Sequence, residues 1–193
     1  MINESERAIF ALAAAAESND AYARTHPKRV ANTALHLGMR LGLHQEDLFA
    51  LFRGGLLHDI GKMFVKDAIL GKRGPLNAEE EKEMRAHAAI GERIVRRLPS
   101  ASDLLAIVRH HHERFDGGGY PDGLSGHRIP LLARIVSVSD AHDALSSDRP
   151  YRARYSPQEI VETLMRGAGK QWDHDLVSLL LADMPAMRFE LAS

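Results

Sequence analysis

Ala50-Leu51-Phe52-Arg53-Gly54-Gly55-Leu56-Leu57-His58-Asp59 is the stretch on which the fold turns. It belongs to a longer run, Gln45 to Asp59, in which Leu48, Leu51, Phe52, Leu56 and Leu57 recur at helical spacing and Gly61 offers a stop. Helical patterning extends outward from it in both directions. Towards the N-terminus, Val30, Ala34, Leu37 and Leu41 share a helical face behind Pro27, which suits a first helical position, and Gly42 closes that helix. An Ala-rich helix over Glu4–Glu17 precedes it. Towards the C-terminus, Asn77 with Glu80 resembles a capping box that opens a helix through His87, and Ser102 to His112 forms another. Leu131 to Leu145 reads as a helix, although Ile135-Val136-Ser137-Val138 could pass for a strand. Ser156-Pro157-Gln158-Glu159 is a strong helix start; that helix ends near Gly167 or Gly169, and a last one covers roughly Asp175 to Asp183. Glu113 to Pro130, rich in glycine, breaks the pattern as one long loop, and loops of that length inside compact domains tend to be functional. The expected fold is all-α, a compact bundle of about seven helices in a single domain.

Composition limits what such a bundle can do. The formal net charge of −1 provides no broad basic field to hold a nucleic-acid polymer by counterion release. Cysteine is absent, so a metal would be held by nitrogen and oxygen. The apolar stretch Ala8 to Ala16 is too short to span a membrane and lacks a basic leader, which reads as a cytoplasmic chain with no membrane partner. The unusual count is eleven histidines, and their placement narrows the chemistry.

His58-Asp59 follows directly on an apolar run, where charge is costly to bury unless paired or metal-bound. A histidine and an aspartate on neighbouring helical residues point about 100° apart and can grip a metal from two directions. Taken alone the doublet is equally well structural. Further candidates change that balance: His26 at the second helix, His87, the run His110-His111-His112 before the loop, and Asp140 in otherwise apolar surroundings. Three consecutive histidines on a helix cannot all face a core. Imidazole and carboxylate without sulfur suit Fe, Mn, Ni, Co or Zn better than Ca or Mg. With two divalent ions, Asp59, Asp140 and a hydroxide, the site would keep one net positive charge, which suits a phosphodiester; paired ions activate water for in-line displacement. Lys62 could neutralise the scissile phosphate, or be a solvated lysine past a helix stop.

His58-Asp59-Ile60-Gly61-Lys62, His111-His112-Glu113, Asp116-Gly117-Gly118-Gly119-Tyr120-Pro121-Asp122-Gly123-Leu124, Ile129-Pro130 and Asp148-Arg149-Pro150-Tyr151-Arg152 together resemble the HD-GYP domain family of HD-superfamily phosphohydrolases. The match runs from about Asp20 to Leu180. A bare HD doublet is common, whereas the Gly-Tyr-Pro loop is far more specific. The resemblance implies one HD-GYP domain over 1–193, with an N-terminal helix over 1–19 and a catalytic core over 20–183. It implies hydrolysis of cyclic di-GMP to linear pGpG, sometimes onward to GMP, by two divalent ions, Fe or Mn first and Ni, Co or Zn otherwise. The metal ligands carried over by position are His26, His58, Asp59, His87, His111, His112 and Asp140. Lys62 matches a lysine near the phosphate and acts with Asp59 in catalysis. Gly119, Tyr120 and Pro121 match the loop lining the nucleotide site, and Arg149 and Arg152 its basic motif. Stacking of a base on Tyr120 would contribute about 1–3 kcal/mol, and glycines 117 to 119 let the backbone approach a ligand. Outside the resemblance, Tyr120 could instead pack its own loop, and Arg149 and Arg152 could be helix-end ion-pair partners.

Some positions depart from the family pattern. Tyr22 stands where some relatives place a glutamate that binds a third metal, which points to two ions here. Thr25, Ala88 and Gln171-Trp172-Asp173-His174 replace more usual residues without removing a proposed ligand. His110, His36, His44, His127, His142 and His174 receive no role. Two other functions fit the same residues: a phosphodiesterase for another cyclic dinucleotide such as cyclic GMP-AMP, and a non-catalytic module that binds cyclic di-GMP or docks a GGDEF-domain protein.

Overall fold

The computed structural model describes residues 21–98, 101–148 and 153–190, with side chains from 25 to 183. The helix expected over Glu4–Glu17 and the arginines Arg149 and Arg152 lie outside the described residues. Eight α-helices occur among them: α1 (Ala21–Arg40), α2 (Gln45–Leu57), α3 (Asp67–Leu70), α4 (Ala78–Val95), α5 (Ser102–His110), α6 (Leu131–Ser146), α7 (Pro157–Gly167) and α8 (His174–Glu190). Short 3-10 turns cover Ile60–Phe64 and Gly126–Arg128, and one isolated bridge, Ala168 to Trp172, is the sole β feature among the described residues. The bundle is all-α, as its patterning implies.

α6 runs through the middle, against α1, α2, α5, α7 and α8. Ile135, Val136 and Val138 are therefore all fully buried, which explains why this segment carries a strand-like apolar run yet forms a helix: it is covered on nearly every side. The core adds Val30, Ala34 and Leu37 from α1, Leu51 and Leu57 from α2, Leu104, Ile107 and Val108 from α5, and Leu164, Val177 and Leu180 from the last two helices. Each Val, Leu or Ile among these contributes about 1.5–3 kcal/mol by leaving water. The Gly54-Gly55 pair lets α2 approach two neighbours at once. A methyl on Gly55 would lie 2.6 Å from the Ala31 Cα, and one on Gly54 would lie 2.6 Å from the Ile107 side chain.

The expected caps form. Asn77 and Glu80 make a reciprocal capping box, as do Ser156 and Glu159, with Pro157 at the first turn of α7. Gly42 adopts φ +68 after α1. Other boundaries shift. Pro27 does not open α1 but sits inside it, because nothing between Ala21 and His26 stops a helix, and the proline forfeits a single backbone bond. α2 ends at Leu57; His58 keeps helical dihedrals, whereas Asp59 (φ −100, ψ 6) turns the chain into the 3-10 segment that carries Lys62. Lys62 therefore reaches the site from that turn rather than from a continued α2. α5 likewise ends at His110, one residue before the ligand-bearing pair, and α8 extends past Asp183 to Glu190.

Candidate metal centre

Five helices deliver donor atoms to one buried point. His26 comes from the second turn of α1, His58 and Asp59 from the end of α2, and His87 from the middle of α4. His111 and His112 come from the end of α5, and Asp140 from α6. His58, Asp59, His87 and His111 are buried, and Asp140 is partly exposed. The donors fall into two groups: Asp59, His87, His111 and His112 in one, and His26, His58 and Asp140 in the other, each with ligand atoms within 4.8 Å of one another.

Asp59 stands between them. Its Oδ1 lies 3.2 Å from His87 Nε2 and 3.7 Å from His111 Nε2, while its Oδ2 lies 3.2 Å from His58 Nε2 and 3.9 Å from His26 Nε2. His26 Nε2 is also 3.4 Å from Asp140 Oδ1. One carboxylate thus turns an oxygen toward each group.

The imidazoles are aimed by their other nitrogen. His58 Nδ1 donates to the Gly55 carbonyl at 2.8 Å, His87 Nδ1 to Met84 at 2.6 Å and His111 Nδ1 to Val108 at 2.9 Å. Gly55 and Val108 lie in the last turns of α2 and α5, where carbonyls lack an intrahelical partner. A histidine just past each helix end satisfies such a carbonyl and sends Nε2 into the centre. His26 is held differently: its Nδ1 lies 2.7 Å from Asp143 Oδ2, and Arg29 Nε reaches Asp143 Oδ1 at 2.5 Å. A carboxylate behind a metal-facing histidine fixes ring orientation and raises its basicity.

The electrostatics suit a cation. Burial alone would raise Asp59, but Lys62, with Nζ 2.5 Å from Oδ2, and His58 hold it well below the usual carboxylate range, so it is ionised. Burial would lower His58, but the Asp59 carboxylate outweighs it and raises the imidazole to about 9. His111 is pushed down to about 4, first by burial, and His112 falls well below its ordinary value for the same reason, so both are neutral. Asp143 sits at about 2, its burial outweighed by His26 and Arg29. His58 Nε2 and Asp59 Oδ1 are buried at the centre with no hydrogen-bond partner. Buried polar atoms are seldom left so, and a divalent cation among these nitrogen and oxygen donors would satisfy both. The residues fit a metal.

The long loop forms one wall. The Tyr120 ring stacks on His112, centroids 5.0 Å apart and 29° between planes, and the Arg85 guanidinium lies 5.1 Å over that ring. The Tyr120 side chain thus packs between a candidate ligand and an arginine. Burial raises its phenol above the ordinary range, so it stays protonated. Pro121 is half-buried beside it. A methyl on Gly119 would lie 2.5 Å from the Glu113 Cα, so this glycine lets the loop close on the end of α5. Glu113, buried, accepts from the amides of Asp122 at 2.8 Å and Leu124 at 3.1 Å and ties the loop down.

All seven expected ligands meet, and Lys62 and the Gly-Tyr-Pro loop border them. His110 faces Glu113 and Asp122 instead, and His36 pairs with Asp183. Asp143, Glu113 and Arg85 are the residues that motif reading assigned no role. Asp143 had one local signal, its place three residues after Asp140 and hence on the same helical face. Glu113 stood inside a quoted motif, and Arg85 had no signal.

A family model described as the HD domain matches residues 11–176. The chain is 36% identical over 185 residues to the cyclic di-GMP phosphodiesterase response regulator RpfG of Xanthomonas campestris pv. campestris, across 93% of this chain and 48% of that protein. It is 41% identical over 137 residues to 3'3'-cGAMP-specific phosphodiesterase 3 of Vibrio cholerae, across 71% of this chain and 30% of that protein. The chain therefore spans less than half the length of these relatives. A solved structure of a cyclic GMP-AMP specific phosphodiesterase of V. cholerae, V-cGAP3, superposes with a TM-score of 0.75 at 18% identity over 97% of this chain and 51% of that one, a likeness of fold. Matched over most of its length by that model, the chain belongs to the HD domain family, and its HD doublet together with the Gly-Tyr-Pro loop resembles the HD-GYP branch of it.

Proposed function

We propose that this chain is a metal-dependent phosphodiesterase that hydrolyses cyclic di-GMP to linear pGpG, acting as one catalytic domain. The observation that carries this reading is the convergence of seven nitrogen- and oxygen-bearing side chains on one buried centre, with a single carboxylate shared between two groups. One ion would be held by His26, His58, Asp59 and Asp140, the other by Asp59, His87, His111 and His112. Such a donor set suits Fe or Mn, with Ni, Co or Zn as alternatives. When bound, divalent ions supply Lewis acidity and lower the pKa of water at the site.

The chain's own residues do the rest. Lys62, about one third exposed at the mouth, now pairs with Asp59. With Asp59 held by cations, the Lys62 ammonium would turn on its flexible stem toward the scissile phosphate. Gly119, Tyr120 and Pro121 shape the wall on which the nucleotide would lie, and Arg149 and Arg152 complete the proposed cationic set. His26 is kept in position by Asp143.

Cyclic GMP-AMP is the second substrate to test, because a 41% identical relative is specific for it. The test is metal analysis of protein purified without chelator, paired with turnover of both cyclic dinucleotides and chromatographic identification of the product. Turnover of cyclic di-GMP to pGpG, lost in His58→Ala/Asp59→Ala along with the metal, is the expected result. Hydrolysis retained in that double variant would overturn the assignment.

A further inference from the structure

His110, Glu113 and Asp122 form another group of donors whose ligand atoms lie within 4.8 Å of one another, and none of them belongs to the two groups at the metal centre. His110 closes α5, the Glu113 amide donates back to the His110 carbonyl at 2.9 Å, and Asp122 comes from the Gly-Tyr-Pro loop. Glu113 is buried and His110 nearly so, whereas the Asp122 side chain, 35% exposed, opens the group to solvent.

His110 Nδ1 faces both carboxylates, 3.5 Å from Asp122 Oδ2 and 3.7 Å from Glu113 Oε1. Hydrogen bonds close at about 2.7–3.2 Å, and this nitrogen is buried without such a partner. Tetrahedral bonds of about 2.0–2.1 Å hold neighbouring donors roughly 3.4 Å apart, so the spacing is that of ligands around a small cation. Each oxygen has capacity left. Glu113 Oε1 accepts the Asp122 amide at 2.8 Å and Oε2 the Leu124 amide at 3.1 Å. Asp122 Oδ2 and Oδ1 accept from Arg109 Nε at 2.8 Å and Nη2 at 2.7 Å. A carboxylate oxygen carries two lone pairs, so one bond each leaves another for a metal. The charge agrees: two carboxylates face the single guanidinium of Arg109, while Glu92, 3.9 Å from that arginine, is matched by Arg96. One imidazole and two carboxylates, with water in the remaining position, suit zinc.

We propose that His110, Glu113 and Asp122 form a separate zinc site that clamps the Gly-Tyr-Pro loop to the end of α5, outside the metal centre. The site stands independently of the phosphodiesterase reading. With few protein donors and one side open to solvent, it holds its ion more weakly than the centre and fills when zinc is supplied.

The test dialyses wild type, His110→Gln and Asp122→Ala against zinc, measures bound zinc by elemental analysis, and follows hydrogen exchange of the Asp122 and Leu124 amides with and without the metal. Wild type is expected to hold about one equivalent more than either variant. Zinc should slow exchange at Leu124 at least about tenfold in wild type and leave it unchanged in the variants. Equal zinc in all the proteins, or exchange slowed as much in the variants as in wild type, would overturn the site. A loss of more than about one equivalent in His110→Gln would mark damage to the neighbouring His111, and Asp122→Ala then decides: zinc equal to wild type refutes the clamp, and about one equivalent less upholds it.

Discussion

Asp59 Oδ1 meets His87 Nε2 at 3.2 Å, while the same carboxylate gives its other oxygen to His58 at the same distance. Asp59, in the turn just past α2, is thereby shared by a group from α4 and α5 and a group made of His58, α1 and α6. Removing a ligand on one side should spare the other. His87→Ala is expected to lower metal content from about two equivalents toward one, and Asp59→Ala to lower it toward none. Elemental analysis of the purified variants reads the difference; equal loss from both would refute the sharing.

Gly61 is where the turn after Asp59 rests on α4. A methyl there would overlap the His87 carbonyl oxygen and lie 2.7 Å from the Gly91 nitrogen, both backbone atoms that cannot rotate aside. Gly61→Ala should therefore force the turn off α4, costing about 3 kcal/mol of stability and parting Asp59 from His87. Denaturant unfolding measures the first effect, and metal content the second.

Asp143 supports His26 without facing the centre. Its folded pKa of about 2 lies below an ordinary aspartate value of 3.8, so its contribution is present above pH 3.8 and is lost as pH falls through about 2. Asp143→Asn should be less stable than wild type by about 2 kcal/mol at pH 6, with the gap closing toward pH 2. It should also bind metal about 10–100-fold more weakly. Acid titrations of both proteins followed by circular dichroism would show the converging curves, and a gap unchanged at pH 2 would contradict the assignment.

His58 titrates at about 9 in the metal-free protein, so at pH 7 its imidazole carries a proton that a ligand cannot keep. Metal binding at neutral pH should release about one proton, and metal affinity should climb with pH until about 9 before levelling. A pH indicator in weakly buffered solution detects the release during titration with manganese. Loading without proton release would show that His58 is not a ligand.

Glu113 holds two amides of the Gly-Tyr-Pro loop on one buried carboxylate. Glu113→Ala would leave both donors unpaired, at a cost of about 1–3 kcal/mol each if they stay buried, and the loop should open instead. The expected outcome is a raised KM for the dinucleotide, with metal content largely kept and faster amide exchange at Asp122 and Leu124.

Local sequence information carried far in this chain. Capping boxes at Asn77 and Ser156, the αL glycine at 42 and the 3.6-residue period are decided by neighbours in the chain, so the helices were legible. So was the identity of the donors, because histidine and aspartate at the ends of apolar runs are costly unless used. Boundaries were less so. Asp59 leaves the helix only because Ile60 and Gly61 fold back onto α4, a contact that spacing does not encode.

By itself the sequence determined an all-helical bundle, its caps, and a set of imidazoles and carboxylates without sulfur. Tertiary packing alone decided how they are used. It turned each oxygen of Asp59 to a different group, placed Asp143 behind His26, laid Tyr120 on His112 and left a cavity beside Asp140. The reason is physical: periodicity fixes which face of a helix is apolar, whereas the rotation and depth at which five helices meet come from interlocking side chains distant in the chain.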